Sequence, residues 1–410
     1  MQGYSSESTT RIRPREGPKV PPVCYDPGIA MKRAFAAVAG AILVAAAVFA
    51  FIAVRQEREF RRLIAAGDAA LARDQTYEAI EAFSGALALK HDSMLAYLKR
   101  GDSYRRRGEL SAALRDLRQA SSLDATATRP LELLGDVNVA MGRYERAAEA
   151  YRRYLALDDR APRVLYKLAL ASYRNGQPTP AVESLRRALA LDDRFAEAHY
   201  LLAMCLKDQK RDKDAAKSLA RALEINPALG AAREELAGLD LAQGRTRDGI
   251  EQLEAVAALE PSQPQRFVDV GLAYARAGDY DNAIITLSRA AQRYPEAEVV
   301  YVALGRVWLT IADMRKDRVA LSKALQALES AAGRPDATSD TLTLYGRSLL
   351  LADRVDDSER VLQQASSTLP VDPAAFYYLS SAAQRRGHVS AARDAMAKYR
   401  SLVGEDATTP

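Results

Sequence analysis

Eight small residues recur every 34 positions along the middle of the chain, with no insertion or deletion between them. They are Gly67, Gly101, Gly135, Ala169, Ala203, Ala237, Gly271 and Gly305. A strict period of this length indicates stacked copies of one supersecondary unit, because each copy can bury its apolar face only against its neighbours. The period predicts a repeat solenoid, and it disfavours an enzyme because most of the 410 residues build the repeats.

Within each repeat, the apolar residues have helical spacing. Twelve positions after a residue of the first series comes a second small residue, and four positions later a large apolar or aromatic one, as in Ala79 and Phe83. Such spacings place side chains on one stripe of a helix. Prolines recur where the second helix should end, because proline cannot continue a helix interior. The sequence therefore predicts two helices per repeat and no strands. The prolines are Pro227, Pro261, Pro295 and Pro370.

This pattern resembles the tetratricopeptide-repeat family, whose unit is a helix–turn–helix of 34 residues. The resemblance covers residues 60–402 and implies an all-α, right-handed superhelical solenoid of about ten repeats. The last repeat is polar, as expected of a terminal cap. The first eight repeats are predicted to begin at Phe60, Met94, Thr128, Pro162, Ala196, Gly230, Pro264 and Glu298.

Repeat eight breaks the period. Gly346 lies 41 positions after Gly305, so this repeat carries seven extra residues, which we place near Ile311–Asp317. Two additional helical turns would absorb them. Two further repeats are predicted to begin near Ser339 and Pro373, and residues 403–410 to form a disordered tail.

The segment Ala34–Val54 contains no charged residue and is made of ten strong hydrophobes, ten alanines and Gly40. At about 1.5 Å per residue a helix of this length reaches roughly 30 Å, enough to cross a hydrocarbon core. We predict one transmembrane signal-anchor at residues 34–54. Cleavage by signal peptidase after Val48-Phe49-Ala50 is the alternative, since Met31-Lys32-Arg33 makes a basic start.

Residues 1–33 are rich in proline and carry no periodicity, which predicts a disordered tail. The alternative is that residues 1–30 are a mis-called extension upstream of a start at Met31. This tail contains six Lys and Arg residues, so it should stay inside the cell and the repeats should lie outside. With the Ala- and Arg-rich composition of a bacterial protein, this predicts a single-pass inner-membrane protein with periplasmic repeats.

Charge and side-chain chemistry exclude several functions. Residues 60–410 carry only about +2 of the net +5, so no basic face for nucleic acid is expected. Cys24 and Cys205 form no Cys-x-x-Cys pair, and the three histidines are far apart, so no metal site is predicted. No nucleotide-binding or hydrolase motif is present, and we predict no enzyme and no cofactor.

In the resembled family, positions 2, 5, 9, 12 and 13 of each first helix line the concave face. Tyrosine and arginine are frequent anchors of protein interfaces, so the resemblance implies a protein- or peptide-binding groove here. Ordinary, partly exposed repeat surface would have the same residues. We expect the tyrosines to be exposed enough that truncation leaves the fold unchanged. The groove residues are Arg105, Arg106, Tyr166, Tyr173, Arg174, Tyr200 and Lys207.

These observations predict a membrane-tethered scaffold that binds a protein or extended peptide, in an envelope assembly or secretion process. Two alternatives stay open. One is a soluble secreted or periplasmic repeat protein left after signal cleavage, and the other is a non-catalytic partner of a glycan or polymer system.

Overall fold

The computed structural model describes residues 27–404, apart from the side chains of residues 27–30, 32–35 and 37. This part of the chain folds into twenty α-helices and contains no strand, which confirms the all-α prediction. The disorder predicted for residues 1–26 and 405–410 lies outside the described residues.

Most first helices have 13 residues and most second helices 14, so that turns and connections complete a period of 34. The helices are α1 (Pro27–Ala72), α2 (Thr76–Leu89), α3 (Met94–Arg106), α4 (Leu110–Leu123), α5 (Thr128–Ala140), α6 (Tyr144–Leu157), α7 (Pro162–Arg174), α8 (Pro178–Leu191), α9 (Ala196–Asp208), α10 (Asp212–Ile225), α11 (Gly230–Ala242), α12 (Thr246–Leu259), α13 (Pro264–Arg276), α14 (Tyr280–Arg293), α15 (Glu298–Arg315), α16 (Arg318–Ala332), α17 (Ser339–Leu351), α18 (Val355–Ala365), α19 (Ala374–Arg385) and α20 (Val389–Val403).

The first helices of repeats two to nine begin at the residues that the period predicts, from Met94 to Ser339. The tenth begins one residue late, at Ala374, and the predicted start at Phe60 falls inside α1. The chain divides into two compact units, Met1–Val137 and Asn138–Pro410. In the first, α1 packs on α2 and α3 on α4; in the second, each first helix from α7 onward packs on the helix that follows it.

Glycine at the 34-residue position allows the two helices of a repeat to approach closely. A Cβ atom on Gly271 would lie 2.6 Å from Cγ of Leu287, and one on Gly346 would lie 2.5 Å from Cγ of Leu362. Both leucines are completely buried. In these two repeats the glycine and the leucine sixteen positions later are therefore in direct contact across the helix pair.

In repeat eight the partner of Gly305 is Leu328, whose Cγ would be 2.5 Å from an added Cβ. This separation is 23 residues instead of sixteen, so all seven extra residues lie between the two contacts. Compared with α13, α15 extends five residues further at its C-terminal end. Compared with α14, α16 has three more residues between its start and its contact leucine. The turn between α15 and α16 is one residue shorter than the turn between α13 and α14. The helical hairpin of repeat eight is thus lengthened at its turn, as predicted.

Helix α1 has two regions with different surroundings. From Val38 to Val54 the large apolar side chains are exposed, whereas Phe60 and Ile64 are buried against α2. The helix begins at Pro27, so the backbone of residues 27–33 is helical where the sequence predicted disorder. It is long and apolar enough to cross a membrane, and a signal sequence near the N-terminus would meet the same criteria.

The apolar region continues into repeat one without a break in the helix. Just after it, Glu57 accepts a hydrogen bond from Arg61 at 2.6 Å and contacts Lys90, which follows α2. The Lys90 ammonium also lies 4.6 Å from the centre of the Phe60 ring. These contacts attach α1 to the first repeat within about one turn of the apolar segment.

Candidate protein-binding surface

Five of the predicted groove residues lie on the first helices α7 and α9 of the Asn138–Pro410 unit. Tyr166 is only partly exposed, because its ring lies 5.0 Å from that of Phe195 at an angle of 45°. It packs against the core cluster that includes Leu201. Burial, and secondarily the charge of Glu197, raise the pKa of Tyr166. The ring of Tyr166 is therefore partly exposed and fills space between neighbouring first helices.

Tyr173 and Tyr200 are also partly buried. Burial, followed by a hydrogen bond to Asp208, raises the pKa of Tyr173 to about 12. Burial, followed by the charges of Glu235 and Glu234, raises the pKa of Tyr200. A carboxylate therefore lies near each of the three tyrosines.

The predicted positive charges of this surface are partly neutralised. Lys207 Nζ lies 2.5 Å from Glu235 Oε2, and this hydrogen bond raises the pKa of the lysine. Arg174 is exposed at the last turn of α7. Of the positive charges predicted on α7 and α9, Arg174 thus remains the one best placed to meet a negatively charged partner.

Arg105 and Arg106 belong to the other unit, Met1–Val137, and both contact Asp102. The distances from this carboxylate are 2.7 Å for Arg105 Nη2 and 3.2 Å for Arg106 Nε. Arg106 lines a depression of about 450 Å³ together with Leu71 and Leu98 on α1 and α3. The first-helix side of this unit is therefore also indented, with its arginines held by an acidic neighbour.

A third surface uses the same helical positions further along the chain. Val268 on α13 and Val302 on α15 stand at the fifth position of their helices, where Tyr166 and Tyr200 stand on α7 and α9. Together with Leu272 they line an open cleft of about 270 Å³ between α13, α15 and α17. We call this the first-helix cleft. The first-helix positions that selected the tyrosines would also have identified this cleft if they had been applied to repeats seven to nine.

The walls of the first-helix cleft are largely apolar, and its charged side chains have hydrogen-bond partners. Val299 is 44% exposed at its rim. Arg306 contacts both carboxylate oxygens of Asp340, at 2.7 and 2.5 Å, and Glu298 accepts a hydrogen bond from Thr341 at 2.6 Å. The cleft can therefore take an apolar side chain while the rim supplies hydrogen-bonding groups.

Among the described residues, no three His, Cys, Asp or Glu side chains lie together as ligands of a metal ion. Cys205 is buried among apolar side chains, and burial raises its pKa to about 12, so the thiol stays protonated.

Two family models match the second unit. One, described as "Anaphase-promoting complex, cyclosome, subunit 3", matches residues 140–222, and one described as "Tetratricopeptide repeat" matches residues 235–298. With the 34-residue period and the packed helix pairs, these matches identify the chain as a member of the tetratricopeptide-repeat proteins. No protein of the curated collection matches it.

Many solved structures are similar to parts of this chain. YrrB, titled "a TPR protein with an unusual peptide-binding site", is 23% identical over 45% of this chain and 94% of its own, with a TM-score of 0.40. MamA of Desulfovibrio magneticus RS-1 is 21% identical over 42% and 96%, with a TM-score of 0.40. Yeast Tom70 is 13% identical over 85% and 93%, with a TM-score of 0.41.

Proposed function

We propose that this protein is a scaffold that holds an extended segment of a partner protein along its first-helix side and is tethered to a membrane by α1. The observation that carries the proposal is the first-helix cleft, an apolar opening at positions that repeat arrays expose for binding. A few anchoring side chains that fill pockets supply most of the binding free energy of an interface, so a pocket matters more than the total buried area.

The predicted residues on α7 and α9 extend the proposed surface within the same unit. Tyr166 and Tyr200 form its floor rather than projecting anchors, and Arg174 offers an exposed positive charge. A segment with apolar side chains fits both this surface and the cleft, and Arg174 favours a negative charge in the part of the segment that lies on α7.

The apolar region of α1 supports the tether. Its large side chains are exposed over residues 38–54, an arrangement that is stable when lipid surrounds them. The contacts of Glu57 and Phe60 would hold the first repeat close to the membrane surface. We place the scaffold in an envelope assembly or secretion process on this basis.

A photo-crosslinking side chain at position 299 of the full-length protein tests both parts. We expect a covalent adduct with a protein partner, and we expect the adduct to stay in the membrane pellet after alkaline carbonate washing. The matched control carries the same side chain at position 319, where Val319 on α16 is 65% exposed. Equal adducts at both positions would refute the cleft, and loss of intact protein from the pellet would refute the tether.

A further inference from the structure

A second groove runs between the second helices α12 and α14, with α13 as its floor. Two depressions of about 330 and 590 Å³ meet at Glu254, which lines both. One ends at Arg289 and Arg293 on α14, and the other passes Glu251 on α12 and reaches Asp279 at the start of α14. We call this the second-helix groove.

One end of the groove is basic. Arg289 and Arg293 lie one turn apart on α14, and neither has a carboxylate within ion-pair distance among the described residues. Two like charges at this spacing repel each other in the absence of an anion. The Arg293 guanidinium lies 5.8 Å from the centre of the Phe267 ring and 5.5 Å from that of Tyr294. A stacked guanidinium keeps its in-plane N–H donors free for a carboxylate.

The opposite end is acidic. Glu254 accepts a hydrogen bond from the Tyr274 hydroxyl at 2.7 Å, which keeps its carboxylate at the groove wall. Glu251 is exposed one turn earlier on α12, and Asp279 caps the start of α14. With Glu254 at the junction of the two depressions, three carboxylates against the single Arg247 give this half of the groove a net negative charge.

The middle of the groove is apolar. Phe267 and Val270 of α13 and Ala257 of α12 line it. The groove runs along the whole of α12, which has 14 residues, so it is about 20 Å long. An extended chain advances about 3.3 Å per residue, so about six residues would fill it. A small anion would meet only one of the two ends.

We propose that the second-helix groove binds an extended peptide of about six residues, with an acidic group at Arg289 and Arg293, an apolar side chain over Phe267, and a basic group between Glu251 and Asp279. This site is separate from the first-helix cleft, because α13 presents Phe267 and Val270 to one and Val268 and Leu272 to the other. A scaffold with two such sites can hold two partner segments at once.

Two fluorescent peptides of the same composition test the proposal with the full-length protein in detergent micelles. One has lysine first, leucine in the middle and glutamate last, and the other has the reverse order. We expect one order to bind, and Arg289→Gln together with Arg293→Gln to weaken it about tenfold or more, because charge-assisted hydrogen bonds are lost. Glu251→Gln should weaken it less, since its end has other carboxylates.

The matched control is Arg276→Gln. Arg276 is an exposed arginine in the last turn of α13, the helix that forms the floor of the groove. It should leave peptide affinity unchanged, and so should Val299→Asp in the first-helix cleft. All the substituted side chains are exposed, so the thermal melting curve should not change. Failure of both peptides to bind, equal binding by the double arginine variant, or equal binding of a peptide with glutamine for glutamate would overturn the proposal.

Discussion

The α7–α9 surface and the first-helix cleft occupy the same positions of the repeat but have opposite forms. At the fifth position of α7 and α9, Tyr166 and Tyr200 fill the space between neighbouring first helices. At the fifth position of α13 and α15, Val268 and Val302 are too short to fill it, and a cleft remains. The tyrosines that look most like interface anchors therefore close the surface, and the shorter valines leave it open.

Charge does not distinguish the two regions. Lys207 is paired with Glu235, and Arg306 in the cleft is paired with Asp340. Exposed ion pairs of this kind are worth about 0–1 kcal/mol, so they set the polarity of a surface more than its stability. What distinguishes the two regions is side-chain volume.

The largest effect should follow from opening the closed region. Tyr166→Val removes the contact with Phe195 and leaves a gap in the core cluster, which should lower the free energy of unfolding by roughly 1–3 kcal/mol. Urea denaturation followed by circular dichroism measures this. Arg174→Ala on the same helix should change it by less than about 0.5 kcal/mol. Equal stability of Tyr166→Val and wild type would mean that the ring is an exposed anchor after all.

The reverse change should close the open region. Val302→Tyr places a large ring in the first-helix cleft, so the yield of the adduct from position 299 should fall about tenfold, equivalent to about 1.4 kcal/mol of binding free energy. Stability should stay within about 0.5 kcal/mol of wild type, because the cleft offers room for the ring. An undiminished adduct would show that the partner does not enter the cleft.

The smallest effect concerns the titration of Tyr173. Its pKa is raised to about 12, so the stabilisation by its neutral form is complete below the ordinary value near 10 and is lost as the pH rises through 12. The ultraviolet titration of wild type minus that of Tyr173→Phe should show one tyrosine ionising near pH 12. A midpoint near 10 would instead indicate a freely exposed hydroxyl.

Much of the fold could be predicted because the sequence pattern of one helix pair recurs along the chain. Because the same pattern occurs in every repeat, the first residue of each helix can be inferred from many copies and not from one. The helix starts predicted from Met94 to Ser339 agree with the structure. The contact of Gly271 with Leu287 follows from spacing within one hairpin. The insertion in repeat eight could be located because Gly346 returns to the pattern after it.

The surfaces could not be predicted in the same way, because they depend on side chains from the next repeat. The sequence identified Tyr166, but only the neighbouring helix, which brings Phe195 to its ring, decided that it is partly buried. Likewise the pairing of Lys207 with Glu235 joins residues of two repeats. The period, the helix pairs and the apolar segment were determined by the sequence itself, since they are local patterns. Which positions stay open was decided only by the tertiary structure, because an open space is set by the volumes of side chains that are far apart in sequence.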